Sequence, residues 1–259
     1  MRQLITLAAW LLYAASFTPA IAETAKPTIV LVHGAFADAS SWNGVASRLE
    51  HSGYTVRAIA NPLRGVRTDG DYLERILKGI SGPVVLVGHS YGGLVISEAG
   101  SHIRTVKALV FVAAFAPRVG ESAADLTGKN PGSTLAAALA DPVVLTDGTK
   151  DLYIRQSKFP QQFAADVPLG AAKVMAATQR PVADAALAEP AGNASWQSIP
   201  SWFVYGDADR NIPAATLQWM AERAHSRGTV AIKGASHVVM VSHPAEVTHL
   251  IEEAATAIQ

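Results

Sequence analysis

Pro83-Val84-Val85-Leu86-Val87-Gly88-His89-Ser90-Tyr91-Gly92-Gly93-Leu94 is the stretch that decides the fold. Residues 83–87 form an apolar, β-branched run that reads as a buried strand, and residues 94–99 read as a helix. Between them lies the G-x-S-x-G motif Gly88-His89-Ser90-Tyr91-Gly92. A serine squeezed between glycines at a strand-to-helix corner is a nucleophile elbow, a sharp turn whose strain lifts the Ser90 hydroxyl clear of the sheet. A side chain at position 88 or 92 would crowd the neighbouring elements. Five such residues also occur by chance, so the reading depends on a base and an acid further along the chain.

Outward from the elbow, strands and helices alternate. Residues 28–32 are a strand ending in His33-Gly34, and 41–51 a helix with Trp42, Val45 and Leu49 at helical spacing. Strand 54–60 and helix 72–80 precede the elbow strand, and strand 106–114 follows its helix. Residues 115–198 are alanine-rich, with helical pieces at 133–140, 161–165 and 171–178 and no convincing strand. Alternation resumes with strand 201–205, helix 214–224, strand 229–232 and a last helix over 244–258. The order predicts an α/β domain over 23–259: a doubly wound, mostly parallel sheet with right-handed crossovers. A connection as long as 115–198 needs structure of its own, so it is expected to be a helical cap inserted between sheet strands.

Ser90 needs a base in reach, itself oriented by a carboxylate, and an elbow fold places them after the serine in the order acid, then histidine. Asp207 and Asp209 follow the strand at 201–205, and His237 follows the one ending near Ile232. The two aspartates are two residues apart and point to opposite sides of an extended loop, so one of them faces His237. Asp209, deeper in the loop, is favoured, and Asp207 is expected to hydrogen-bond its own backbone as a turn residue. The other histidines have plainer readings. His89 is a packing or shaping residue, His33 organises its loop, and His243 serves the start of the last helix. His51, His102, His225 and His249 lie in or beside helical segments.

A tetrahedral intermediate also needs N–H donors for its oxyanion. The backbone N–H of Tyr91 supplies one, and the loop His33-Gly34-Ala35-Phe36 the other, with Ala35 preferred and Phe36 the close alternative. There is no metal-ligand spacing, no dinucleotide fingerprint and no phosphate-loop lysine in the sequence, so no cofactor or metal is expected.

Net charge is zero and charged residues are only 16% of the 259, which argues against nucleic acid or a charged surface as partner and for a small, largely neutral substrate. Cysteine is absent, excluding disulfide staples and thiol chemistry. At the N-terminus, Met1-Arg2-Gln3, the apolar run 4–17 and Ala20-Ile21-Ala22 have the pattern of a secretory signal peptide. Residues 1–22 are therefore expected to be removed, leaving an exported, periplasmic or secreted protein with no stable membrane insertion. Oligomeric state stays open.

Taken with Leu31-Val32-His33-Gly34-Ala35, Asp209-Arg210-Asn211-Ile212-Pro213 and Gly234-Ala235-Ser236-His237, the elbow resembles the α/β-hydrolase superfamily, and within it the small serine esterases of the plant methylesterase and hydroxynitrile lyase group. The resemblance runs from Thr28 to the C-terminus and is weakest in the cap. It implies an α/β-hydrolase fold, a catalytic Ser90, Asp209 and His237, and oxyanion donors at Ala35 and Tyr91. The hydroxynitrile lyases of the group carry a lysine after the catalytic histidine and a threonine in the first-strand loop. Here those places hold Val238 and Gly34-Ala35, which favours an esterase. The expected function is a carboxylesterase-type serine hydrolase acting on small, largely apolar esters through an acyl-enzyme. Lactone opening, lyase chemistry and ligand binding on a hydrolase scaffold are the alternatives.

Overall fold

Residues 26–259 are described in a computed structural model of the chain; the expected signal peptide lies outside them. The first half runs β1 (Thr28–Val32), α1 (Asn43–His51), β2 (Val56–Ile59), α2 (Val66–Leu77), β3 (Val84–His89), α3 (Gly92–Ala99) and β4 (Val106–Val112). The cap follows, with α4 (Ala123–Thr127), α5 (Leu135–Ala138), β5 (Val143–Val144), β6 (Lys150–Leu152), α6 (Phe159–Phe163), α7 (Leu169–Thr178), β7 (Val182–Ala183) and α8 (Asp184–Ala188). The sheet then resumes through β8 (Ser201–Gly206), α9 (Ala214–Arg223), β9 (Gly228–Ile232), α10 (Val239–Ser242) and α11 (Pro244–Thr256).

Six strands form one parallel sheet in the order β2-β1-β3-β4-β8-β9. Strands β3 and β8 are buried at every position, in keeping with their largely apolar sequences. Helices α1 and α11 pack together on the sheet, and α2 and α3 form a second pair. Phe111 and Phe203 stack across β4 and β8 with ring centres 4.7 Å apart. Parallel register carries every strand in one direction, so the loops after β1, β3, β8 and β9 gather at the carboxyl edge. Ligands of open α/β sheets bind at that edge.

Several expectations needed correction. The cap is not purely helical: β5, β6 and β7 make a three-stranded antiparallel sheet. Strands of two or three residues, with Val143 and Val144 exposed, carry no alternation to read. Helix α2 starts at Val66 rather than at 72 and runs through Gly70, where a Cβ would come within 2.6 Å of the Glu98 Cγ on α3. Gly70 thus marks a close contact between two helices. Strand β3 continues through Gly88 and His89 into the corner itself. Helix α10, after His237, was not expected.

The cap leaves and rejoins the sheet at one place. Gly120 N–H donates to the Ala191 carbonyl (2.9 Å) and Ala191 N–H to that of Glu121 (3.0 Å). Nearby, the Arg223 guanidinium pairs with Glu121 at 2.6 Å. Trp219 of α9 lies between Lys129 and Arg223, whose cations are 4.1 and 4.0 Å from its ring centre. Contacts of this type contribute about 0.5–2 kcal/mol each. No helix among the described residues is long and apolar enough to cross a membrane.

Candidate active site

Ser90 has φ of 52°, a left-handed conformation that serine adopts only under constraint. The constraint is steric and comes from both flanks. A Cβ on Gly88 would lie 2.6 Å from the Gly92 carbonyl oxygen, and one on Gly92 would lie 2.5 Å from that of Val32. The crowding expected at 88 and 92 is therefore present, and it drives the backbone through a corner too tight for any larger residue.

The acid and base are brought together. His237 Nδ1–H donates to Asp209 Oδ2 at 2.6 Å, with both side chains almost wholly buried. The other carboxylate oxygen, Asp209 Oδ1, accepts from the backbone N–H groups of Asn211 (2.7 Å) and Ile212 (3.1 Å). With Nδ1 committed to Asp209, the Nε2 lone pair of His237 is the free basic site. Asp207 faces elsewhere, as expected, but its role differs from a self-contained turn: its Oδ1 accepts from Gly234 N–H at 2.6 Å. It thereby ties the acid loop to the loop that carries His237.

Ser90 and His237 line one cavity of about 540 Å³ beneath the cap, together with Ala35, Phe36 and Tyr91. No hydrogen bond joins Ser90 Oγ to His237 among the described residues; such contacts tighten when substrate arrives. The backbone N–H groups of Ala35, Phe36 and Tyr91 have no acceptor among the described residues. Phe36 has φ of 59°, so the first-strand loop is as sharply bent as the elbow it faces. A Cβ on Gly34 would fall 2.6 Å from that of Ser90, so this glycine lets the two loops approach.

Two buried histidines shape the site without joining its polar chain. His89 packs its ring 4.7 Å from that of His237, and its Nε2 lies 3.2 Å from the His237 carbonyl. Burial pushes its pKa well below the ordinary histidine value. His33 donates from Nδ1 to the Gly34 carbonyl (2.9 Å) and accepts the Asn61 N–H on Nε2 (3.0 Å), which leaves no room for a second ring proton. Burial, above all, lowers its pKa to about 4. Both histidines thus act structurally, as their positions had implied.

That depressed value has a consequence for stability. The unfolded chain binds a proton near pH 6.5 that folded His33 refuses until about pH 4, so stability falls as pH drops through that window. The loss from His33 is on the order of 3 kcal/mol. His89 adds to it in the same direction. Urea unfolding of wild type and His33→Gln across pH 4–7 should give a shallower pH slope for the variant; parallel slopes would refute this.

One neighbour of the base was not foreseen. Phe163, in α6 of the cap, sets its ring 5.0 Å from that of His237 and 6.2 Å from that of Phe36. Nothing in the local pattern of residues 161–165 marks it, because the contact spans most of the cap. Burial also raises the pKa of Asp69, which accepts the Tyr91 hydroxyl at 3.0 Å behind the elbow. Among the described residues no group of three His, Asp or Glu side chains is placed to hold a metal ion.

Known proteins match this chain over most of its length. The sequence profile of the Alpha/beta hydrolase family matches residues 29–250. Alpha/beta hydrolase nvfD of Aspergillus novofumigatus is 29% identical over 89% of this chain and 97% of its own length. The alpha-hydroxynitrile lyase of Arabidopsis thaliana is 25% identical over 89% of this chain and 98% of its own. Among solved structures, polyneuridine aldehyde esterase superposes with a TM-score of 0.77 at 20% identity, covering 88% of this chain and 99% of that one. The resemblance to the methylesterase and hydroxynitrile lyase group is therefore sound, and the fold is shared throughout the matched length.

Proposed function

The chain belongs to the alpha/beta hydrolase family, and from that membership and the site geometry we propose that it is a serine esterase of neutral, largely apolar carboxylic esters. The observation that carries the proposal is the buried Asp209–His237 hydrogen bond opening onto the same cavity as Ser90. Esterase relatives support the class of reaction.

In the proposed cycle Ser90 Oγ attacks the ester carbonyl while His237 Nε2 takes its proton. Asp209, its charge already supported by two backbone N–H groups, steadies the imidazolium. The N–H groups of Ala35 and Tyr91 receive the oxyanion. His237 returns the proton to the departing alcohol, and then deprotonates the water that releases the acid and restores Ser90. No other group is required for these steps.

The cavity wall supports the substrate class. Apart from His237 the one titratable lining residue is Tyr91, whose buried phenol has its pKa pushed further up and stays neutral, and much of the wall is apolar: Phe115, Ala124, Leu135, Leu139 and Leu187 among others. A charged acyl group would lose its hydration there without finding a partner. Small residues such as Ala123, Ala124 and Gly128 leave room for a bulky or extended apolar group. Ala124→Trp should fill that room, lowering the octanoate-to-acetate ratio of kcat/KM on p-nitrophenyl esters by at least about tenfold. An unchanged ratio would mean that the acyl chain lies elsewhere.

Fluorophosphonate labelling tests the proposal directly: wild type should label and turn over p-nitrophenyl esters, and a folded wild type that does neither would refute it. The alternative of lyase chemistry is disfavoured because the buried Val238 stands where a lysine would follow the base. We also propose export, supported by the pattern of residues 1–22. N-terminal sequencing of the expressed protein should then begin at Glu23 rather than Met1.

A further inference from the structure

His237 sits in a stretch without regular secondary structure, between β9 and α10. Its imidazole is therefore held by side-chain contacts rather than by a helix or strand. Asp209, by its hydrogen bond, and His89, by its ring, supply two of these from the sheet side. A third comes from the cap, which also grips the residue before the base. Phe163 lies against the ring, and Asp166 accepts a hydrogen bond from the hydroxyl of Ser236, the residue before His237. Ser236 is buried, and its hydroxyl is also 3.4 Å from the Phe163 carbonyl. The second Asp166 oxygen, Oδ2, is buried without a hydrogen bond, 3.4 Å from His243 Nδ1. The same segment reaches the acid loop: Gln162 Nε2 donates to the Arg210 carbonyl (2.9 Å) and lies 3.2 Å from Asn211 Oδ1.

We propose that Asp166, acting through Ser236, is a positioning residue that holds the His237 loop against the cap and so keeps the base aligned with Ser90. The inference rests on the serine esterase reading. Neither Asp166 nor Ser236 lines the cavity, so neither touches substrate. Their contact fixes the residue next to the base, and a small misplacement of a catalytic group is costly while substrate binding is untouched. Loss of the contact should therefore appear in kcat and leave KM alone.

The test compares Ser236→Ala, Asp166→Ala, Asp166→Asn and the double alanine variant on p-nitrophenyl butyrate, with fluorophosphonate labelling rates and melting temperatures for each. Ser236→Ala and Asp166→Ala should each lower kcat and labelling rate by about tenfold or more, with KM within about twofold of wild type. The double variant should be no worse than either single one, since both remove the same contact. Asp166→Asn retains an acceptor for the Ser236 hydroxyl and should recover most of the rate. Ser236→Ala deletes only one hydroxyl, and it decides the matter if Asp166→Ala fails to fold. Wild-type kcat in Ser236→Ala, a loss confined to KM, or an Asp166→Asn as slow as the alanine variant would each overturn the inference while leaving the esterase reading intact. An unlabelled wild type would instead overturn that reading, and the inference with it.

Discussion

Ser90→Ala is expected to lower kcat on p-nitrophenyl esters by about 10⁶-fold, the scale on which removal of a serine nucleophile acts. Fluorophosphonate labelling should vanish with it. The loss should be purely chemical, because alanine keeps the Cβ and the strained backbone at φ of 52°. Ser90→Gly provides the matching control. Glycine adopts that φ freely, so it should be equally inactive yet more stable than Ser90→Ala by about 1 kcal/mol. Ester turnover by folded Ser90→Ala at even a hundredth of the wild-type rate would show that another group attacks the ester.

Asp209→Asn should reduce kcat by about 10⁴-fold, with the protein still folded. The amide fills the same space, but the hydrogen bond at His237 Nδ1 changes character. An asparagine NH₂ facing the ring donates to Nδ1 and puts the ring proton on Nε2, where the lone pair is needed. The two N–H groups that now support Asp209 Oδ1 favour the amide oxygen at that position, which aims the NH₂ at the ring. Labelling of Ser90 should slow in parallel, because it too needs the base. Asp207→Asn should be far milder, since among the described residues the Asp207 side chain binds only the Gly234 N–H. Equal losses in the two variants would overturn the assignment of the acid.

The parts of the site that were legible in the sequence belong to short, repeated units of strand and turn. Val84 to Val87 read as a buried strand, and Gly88 and Gly92 as the flanks of a corner where side chains have no room. Asp209 and His237 follow from strand ends in the same way, because a parallel sheet delivers its loops to one edge. Tyr91 and Ala35 come with the elbow and the loop that faces it. What was not legible depends on contacts across long separations. Phe163 meets His237, and Asp166 meets Ser236, only because the cap folds back onto the sheet. The alanine-rich composition of 115–198 carries no periodic signal of that return. The short strands β5 to β7 are held by one another rather than by their own patterning. Asp207 was misread for the same reason: its partner, Gly234, lies 27 residues away, whereas a turn aspartate would bond nearby.

The meeting of the cap's two stems at Gly120 and Ala191 has an engineering consequence. The insertion enters and leaves the domain through a single port, and β4 and β8 on either side of it are already neighbours in the sheet. A foreign cap could be grafted at that port without cutting the sheet, exchanging the walls that select substrate for another set. The graft would have to carry over Gln162, Phe163 and Asp166, or rebuild their grip on the two loops beneath. On the function and the positioning role proposed above, substrate choice and catalytic alignment would be encoded in one interchangeable module, with only its innermost turn shared by both.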